Sequence, residues 1–152
     1  MKKVVSPFFT AVRSVEELLE QAQLVITATP AEEPVLPDDA DLLRGKCYIG
    51  IGSYKPEMRE YPQALFGLID TVLVDTIHGL EESGDLITPL RNSWIKKEQI
   101  IEFSRYLSGS RTAVKKGETT FFKSVGMALF DISVGEMLYR RASELGLGVK
   151  LD

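Results

Sequence analysis

From Met127 to Leu145 the apolar residues Met127, Phe130, Val134, Leu138 and Leu145 return at three-, four- and seven-residue intervals, with Gly146 after them. That spacing predicts an amphipathic helix of about five turns closed by a glycine cap. Near the amino terminus, Ser14 precedes Val15, Leu18 and Leu19, and Glu17 stands three residues on. The pattern predicts a short helix with a capping box and those three side chains on its inner face. "LVITAT" (24–29) follows as a continuous β-rich run stopped by Pro30. It predicts a strand buried on both faces.

"KCYIGIG" (46–52) and "TVLVDT" (71–76) repeat that character, and "PQALFGLI" (62–69) predicts a helix between them. "TPAEEPVLPDDADLL" (29–43) concentrates prolines and acids, the mark of an irregular connection. Later, "IHGLEESGD" (77–85) predicts a short helix ended by Gly84, "SWIKKEQIIEFSRYLSG" (93–109) a helix ending near Gly109, and "ETTFF" (118–122) a further strand. Strands separated by helices define an α/β fold with a parallel sheet.

Composition narrows the function more than the fold. The 152 residues are 44% apolar and 26% charged, which suits one soluble domain, and the net charge of −4 gives no basic field for nucleic acid. No apolar run has the length of a membrane span, and the first residues lack the apolar core of a secretion signal, so the expected compartment is the cytoplasm. The one cysteine, Cys47, is expected to be a buried, inert thiol.

A parallel sheet binds ligands at the carboxyl ends of its strands. Three turns fall there: "TATP" after the first strand, "GSYKPEMRE" after the second and "DT" after the third. Thr27, Thr29 and Ser53 bring hydroxyls, while Gly50 and Gly52 offer a ligand access to the backbone. Gly50 and Gly52 have no third glycine at the spacing of a G-x-G-x-x-G fingerprint. His78 is the only histidine, three residues after Asp75, which predicts a surface or cap role with Asp75 within hydrogen-bonding reach and no histidine metal centre. "FFKSVGMALFD" places Ser124, Val125 and Gly126 before the long helix, with Lys123 beside them. Plain capping by Ser124 and receipt of a carboxamide or phosphate by the turn's amides are the two readings of that segment.

In this order, "VITATPAEEPVL", "IGSYKPEMREY", "ESGDLITPL" and "FFKSVGMALFDISVGEMLYRRASELGLGVKLD" resemble the ornithine cyclodeaminase and mu-crystallin family over about Val12 to Asp152. The resemblance implies a partial Rossmann-type sheet, residues 1–152 forming one domain that corresponds to the second part of an NAD(P)-binding Rossmann domain plus the family's carboxyl-terminal segment. It implies NAD or NADP as cofactor, and oxidation or reduction of the C–N bond of a small amino or imino acid. Alanine dehydrogenase or ketimine reductase chemistry is favoured over cyclodeamination. By the same resemblance Thr27, Ala28 and Thr29 border the nicotinamide ribose and diphosphate side, Ile51, Gly52 and Ser53 line the nicotinamide face, and Ser124, Val125 and Gly126 approach the carboxamide.

Two departures from the family pattern bear on function. Its glycine fingerprint and substrate-binding amino-terminal domain have no counterpart here, which implies a homo-oligomer or a separate chain supplying the other half. Tyr54 stands where cyclodeaminases carry an aspartate, and a phenol does not hold an ammonium as a carboxylate does. The catalytic group is otherwise unassigned. The alternative reading is a non-catalytic Rossmann-like domain that serves oligomerisation or partner binding.

Overall fold

Five short strands run in one direction in the computed structural model, which describes residues 9–109 and 117–149. They are β1 (Leu24–Thr27), β2 (Cys47–Gly50), β3 (Val72–Val74), β4 (Ile100–Glu102) and β5 (Thr120–Lys123), ordered β1-β2-β5-β3-β4 with every pairing parallel. The helices are α1 (Val15–Gln21), α2 (Ala40–Leu43), α3 (Gln63–Phe66), α4 (Gly79–Glu82), α5 (Gly84–Arg91), α6 (Phe103–Leu107) and α7 (Ala128–Glu144). The predicted architecture, a parallel sheet with flanking helices and a long carboxyl-terminal helix, is the observed one.

Alternate residues of each strand point to one face, and that face holds the core. Val25, Tyr48, Val72, Val74 and Phe121 pack there with Leu19 of α1, Leu43 of α2, Leu65 and Phe66 of α3 and Leu86 of α5. Full burial of one such side chain contributes about 1.5–3 kcal/mol. Phe121 is the hub, 4.6 Å from the Tyr61 ring and 5.8 Å from that of Phe66, both edge-on.

The second face is the main departure from expectation. β1 was expected to be buried on both sides, yet Leu24 and Ile26 are 52% and 57% exposed, because no described helix covers them. Cys47 is exposed for the same reason: it is the first residue of β2 and shares that open face. In α1 only Leu19 is fully buried, with Val15 and Leu18 at its margin.

The segment 93–109 is not one helix. Lys97–Gln99 makes a single 3₁₀ turn, β4 pairs with β3, and only Phe103–Leu107 is α-helical. The β-branched pair Ile100–Ile101 finds in β3 a partner about thirty residues away, and Gln99 Nε2 fastens the entry by donating to the Asp70 carbonyl at 3.2 Å. Gly84 begins α5 rather than ending α4, the helix predicted over 62–69 shrinks to Gln63–Phe66, and the acidic connection closes in α2, capped by Asp39.

α7 forms where its periodicity predicts, and its end is a Schellman motif. Leu147 N donates to Ala142 O at 2.8 Å and Gly146 N to Ser143 O at 3.2 Å, with Gly146 at φ +63°. None of its side chains is buried. Its apolar residues await a surface that the described chain does not supply.

Candidate functional site

The strand register decides what meets what at the carboxyl end of the sheet. Thr27 pairs with Gly50, Gly50 with Lys123, and Lys123 with Val74, so four strands end in one row. The turns that leave the row carry Ala28 and Thr29, then Ile51 to Tyr54, then Ser124 to Gly126, with Asp75 beside them. All nine expected cofactor residues therefore share one edge. They do not all face outward.

Two of the three hydroxyls expected to meet a ligand, those of Thr27 and Ser53, point inward. Thr27 is buried, and its Oγ1 donates to Glu60 Oε2 at 2.7 Å and lies 2.8 Å from the Tyr61 hydroxyl. Ser53 is also buried; its Oγ donates to Met58 O at 2.6 Å and is 2.9 Å from Ser83 Oγ. Gly52 is small for an internal reason, since a Cβ there would overlap the Thr29 backbone and lie 2.5 Å from Glu60 Oε1. Gly50 likewise leaves room for the Tyr61 ring, 2.7 Å from where its Cβ would stand. The outward surface of the row belongs to Ala28, Ile51 and Gly126, with Tyr54 at its margin, 53% exposed.

Asp75 holds the third turn. Its Oδ2 accepts from Ser124 Oγ at 2.6 Å and from the Val125 and Gly126 amides at 3.1 Å each, and its Oδ1 from the Thr76 amide at 2.8 Å. The capping reading of the turn before α7 is thereby corrected. Ser124 does not cap that helix, which begins only at Ala128, and the two amides are already committed to Asp75. His78 takes the surface and cap role expected of it, as the exposed N-cap of α4, and no hydrogen bond joins it to Asp75 among the described residues. Among the described residues no cluster of His, Cys, Asp or Glu has the makings of a metal site, and no helix is long and apolar enough to cross a membrane.

Beneath the row lies a buried charged group that sequence reasoning missed as a unit: Glu60, Asp85 and Lys123. Asp85 Oδ1 accepts from the backbone amides of Glu60 at 2.8 Å and Tyr61 at 3.1 Å, while Oδ2 has no hydrogen-bond partner among the described residues. Burial pushes the Asp85 carboxyl up to about 6, against the pull of those amides and of Lys123. Lys123 Nζ donates to Gly50 O at 3.2 Å and Ser124 O at 3.1 Å, and burial lowers its ammonium from the ordinary lysine value, opposed by Asp85, Glu60 and Asp75. One signal was available: Lys123 has the same strand parity as Phe121, so it points into the core.

A one-directional sheet whose turns gather along one strand-end row defines the class, a parallel α/β fold of the kind that binds ligands at its strand ends. The chain belongs to the ornithine cyclodeaminase/mu-crystallin family, whose sequence model matches residues 5–146. It is 34% identical over 139 residues to a Delta(1)-pyrroline-2-carboxylate reductase of Bacillus thuringiensis, covering 90% of this chain and 42% of that protein. It is 28% identical over 127 residues to the ketimine reductase mu-crystallin of Rattus norvegicus, covering 83% of this chain and 38% of the relative. The Thermococcus litoralis Delta(1)-pyrroline-2-carboxylate reductase, solved in complex with NADH and L-proline, superposes with a TM-score of 0.78 at 30% identity, over 92% of this chain and 44% of that one. The chain thus spans less than half the length of these relatives.

Proposed function

We propose that this chain supplies the nicotinamide side of an NAD(P) site in a reductase of small imino acids, of the ketimine or pyrroline-2-carboxylate type rather than an alanine dehydrogenase or cyclodeaminase. The observation that carries the reading is the row Thr27, Gly50, Lys123, Val74, which sets the turns 27–29, 51–53 and 124–126 side by side. The relatives' shared imine chemistry and the structure solved with NADH and L-proline support it. Tyr54 in place of a carboxylate argues against holding the side-chain ammonium of a diamino acid.

The outer surface fits a flat ring. Ile51 is 49% exposed and Ala28 is exposed, so an apolar shelf is available, and the space beside Gly126 is open. When bound, the nicotinamide supplies the hydride that reduces the imine carbon. The protein's part is to orient that ring: Ile51 and Ala28 give it an apolar floor, and Asp75 fixes the turn of Ser124, Val125 and Gly126 against which its amide edge would rest.

NADH and NADPH titrated separately into ¹⁵N-labelled protein are expected to shift the amides of Ala28, Ile51 and Gly126 at high micromolar to millimolar concentration. Affinity is expected to be weak, because these 152 residues carry no G-x-G-x-x-G segment to hold the diphosphate. No shift at any of the three with either nucleotide at millimolar concentration would sink the reading.

A second reading concerns assembly, and α7 favours it. Successive helical residues turn by about 100°, so Phe130, Val134, Met137 and Leu138 fall on one side and Leu129, Ile132 and Tyr139 on another. All seven are exposed, as are Leu24 and Ile26 on the open sheet face. A helix apolar on two sides requires cover on both, from a second copy or from a chain carrying the other half. Light scattering at micromolar concentration is expected to give at least twice the chain mass, and Ile132→Asp with Leu138→Asp to lower it. A wild-type monomer would remove the self-association form of this reading.

A further inference from the structure

We propose that Glu60 is the positioning residue of this edge, a buried clamp that locks the turn after β1 to the turn after β2. The proposal rests on the cofactor reading only for its functional consequence; the clamp itself stands on geometry. Glu60 is fully buried, and its carboxylate accepts from three donors on two turns: Thr29 N at 2.6 Å on Oε1, and Thr27 Oγ1 at 2.7 Å and Gly52 N at 3.0 Å on Oε2. Three of the nine residues expected to meet cofactor therefore spend their donors on Glu60. They set the shape of the site from behind while Ala28 and Ile51 form its surface.

The chemistry requires a carboxylate there. Two oxygens facing three donors with no proton of their own satisfy every partner, whereas a carboxamide must turn its NH₂ toward one of the two backbone N–H groups. The clamp is itself anchored. Asp85 Oδ1 accepts from the Glu60 and Tyr61 amides, fixing the backbone from which the Glu60 side chain reaches the turns. Asp85 thus holds Glu60, and Glu60 holds Thr27, Thr29 and Gly52. The other charged group facing this assembly is Lys123, whose ammonium offsets the two carboxylates at the same strand ends.

Two measurements test it. In the wild-type protein, trans-hydrogen-bond scalar couplings are expected from the Thr29 and Gly52 amide nitrogens to the Glu60 side-chain carboxyl carbon. Their absence, with couplings to Asp85 from the Glu60 and Tyr61 amides visible, overturns the clamp without need of a variant. In Glu60→Gln, the Thr29 and Gly52 amides are expected to move upfield and exchange faster with solvent, while the Glu60-position and Tyr61 amides stay in place. The NADH dissociation constant is expected to rise about tenfold or more, the loss of one charge-assisted hydrogen bond. A shift of the two amides with unchanged NADH affinity overturns the positioning role. If the wild-type protein binds no NADH, the cofactor reading fails and the couplings alone judge the clamp.

Discussion

Gly52→Ala is expected to destabilise the protein by about 3 kcal/mol or more, at or beyond the upper end of the usual cost of overpacking, and to abolish nicotinamide binding. The added methyl would overlap both the amide nitrogen and the carbonyl oxygen of Thr29 and crowd Glu60 Oε1. Backbone atoms have no rotamer to escape into, so the turns after β1 and β2 must separate. That movement breaks the bonds from Gly52 N and Thr29 N to the Glu60 carboxylate, and a buried amide left unpaired adds about 1–3 kcal/mol. The expected fall in melting temperature is roughly 6–12 °C for a chain of this size. Gly135→Ala is the control: a Cβ there meets nothing, and within α7 alanine is the better helix former, by about 1 kcal/mol. A Gly52→Ala protein melting within about 2 °C of wild type would show that the two turns are not locked as described.

Lys123→Met is expected to cost about 3–5 kcal/mol at pH 8, the range for removing one member of a buried charged group. The substitution keeps the length of the side chain but takes its donors from Gly50 O and Ser124 O and the cation from Asp85, Glu60 and Asp75. The pH dependence separates charge from packing. Asp85 titrates at about 6 in the folded protein against an ordinary value of 3.8, so the folded state holds this proton more tightly than the unfolded chain. Its contribution to stability is full below the ordinary value and is lost as pH rises through about 6. Without Lys123 the Asp85 carboxyl rises further and that loss deepens. That deeper loss makes the substitution costlier at pH 8 than at pH 5. Urea unfolding at the two pH values measures the difference, and equal costs would contradict the account.

Local signals were legible where short-range bonds decide. Ser14 Oγ accepts from the Glu17 amide at 3.2 Å as the capping pattern requires, although the Glu17 carboxylate reaches the Arg13 amide at 3.0 Å rather than that of Ser14. The Schellman close of α7 was readable from one glycine after a periodic run. The β-rich runs at 24–29, 46–52, 71–76 and 118–122 each gave a strand, over 24–27, 47–50, 72–74 and 120–123. β4 was not legible, because Ile100 and Ile101 within a helix-compatible segment are decided by pairing with Val72 and Leu73.

The candidate site divides along the same line. Its location was readable, since glycines, threonines and serines after buried runs mark strand ends. Its internal wiring was not. Glu60 and Asp85 look like surface acids in "MREY" and "ESGD", and nothing within a few residues of either reveals a carboxylate facing backbone amides across 25 positions. Thr27, Ser53 and Gly52 read as ligand contacts because hydroxyls and bare backbone suit ligands, and the fold uses them to hold itself together. Sequence alone determined the parallel α/β class and the turns that leave its strands, because periodicity and turn chemistry are properties of neighbours, while the resemblance of its motifs pointed to the family. Only the tertiary structure decided which polar groups face out, because that depends on strand register, which joins residues far apart in the chain into one row.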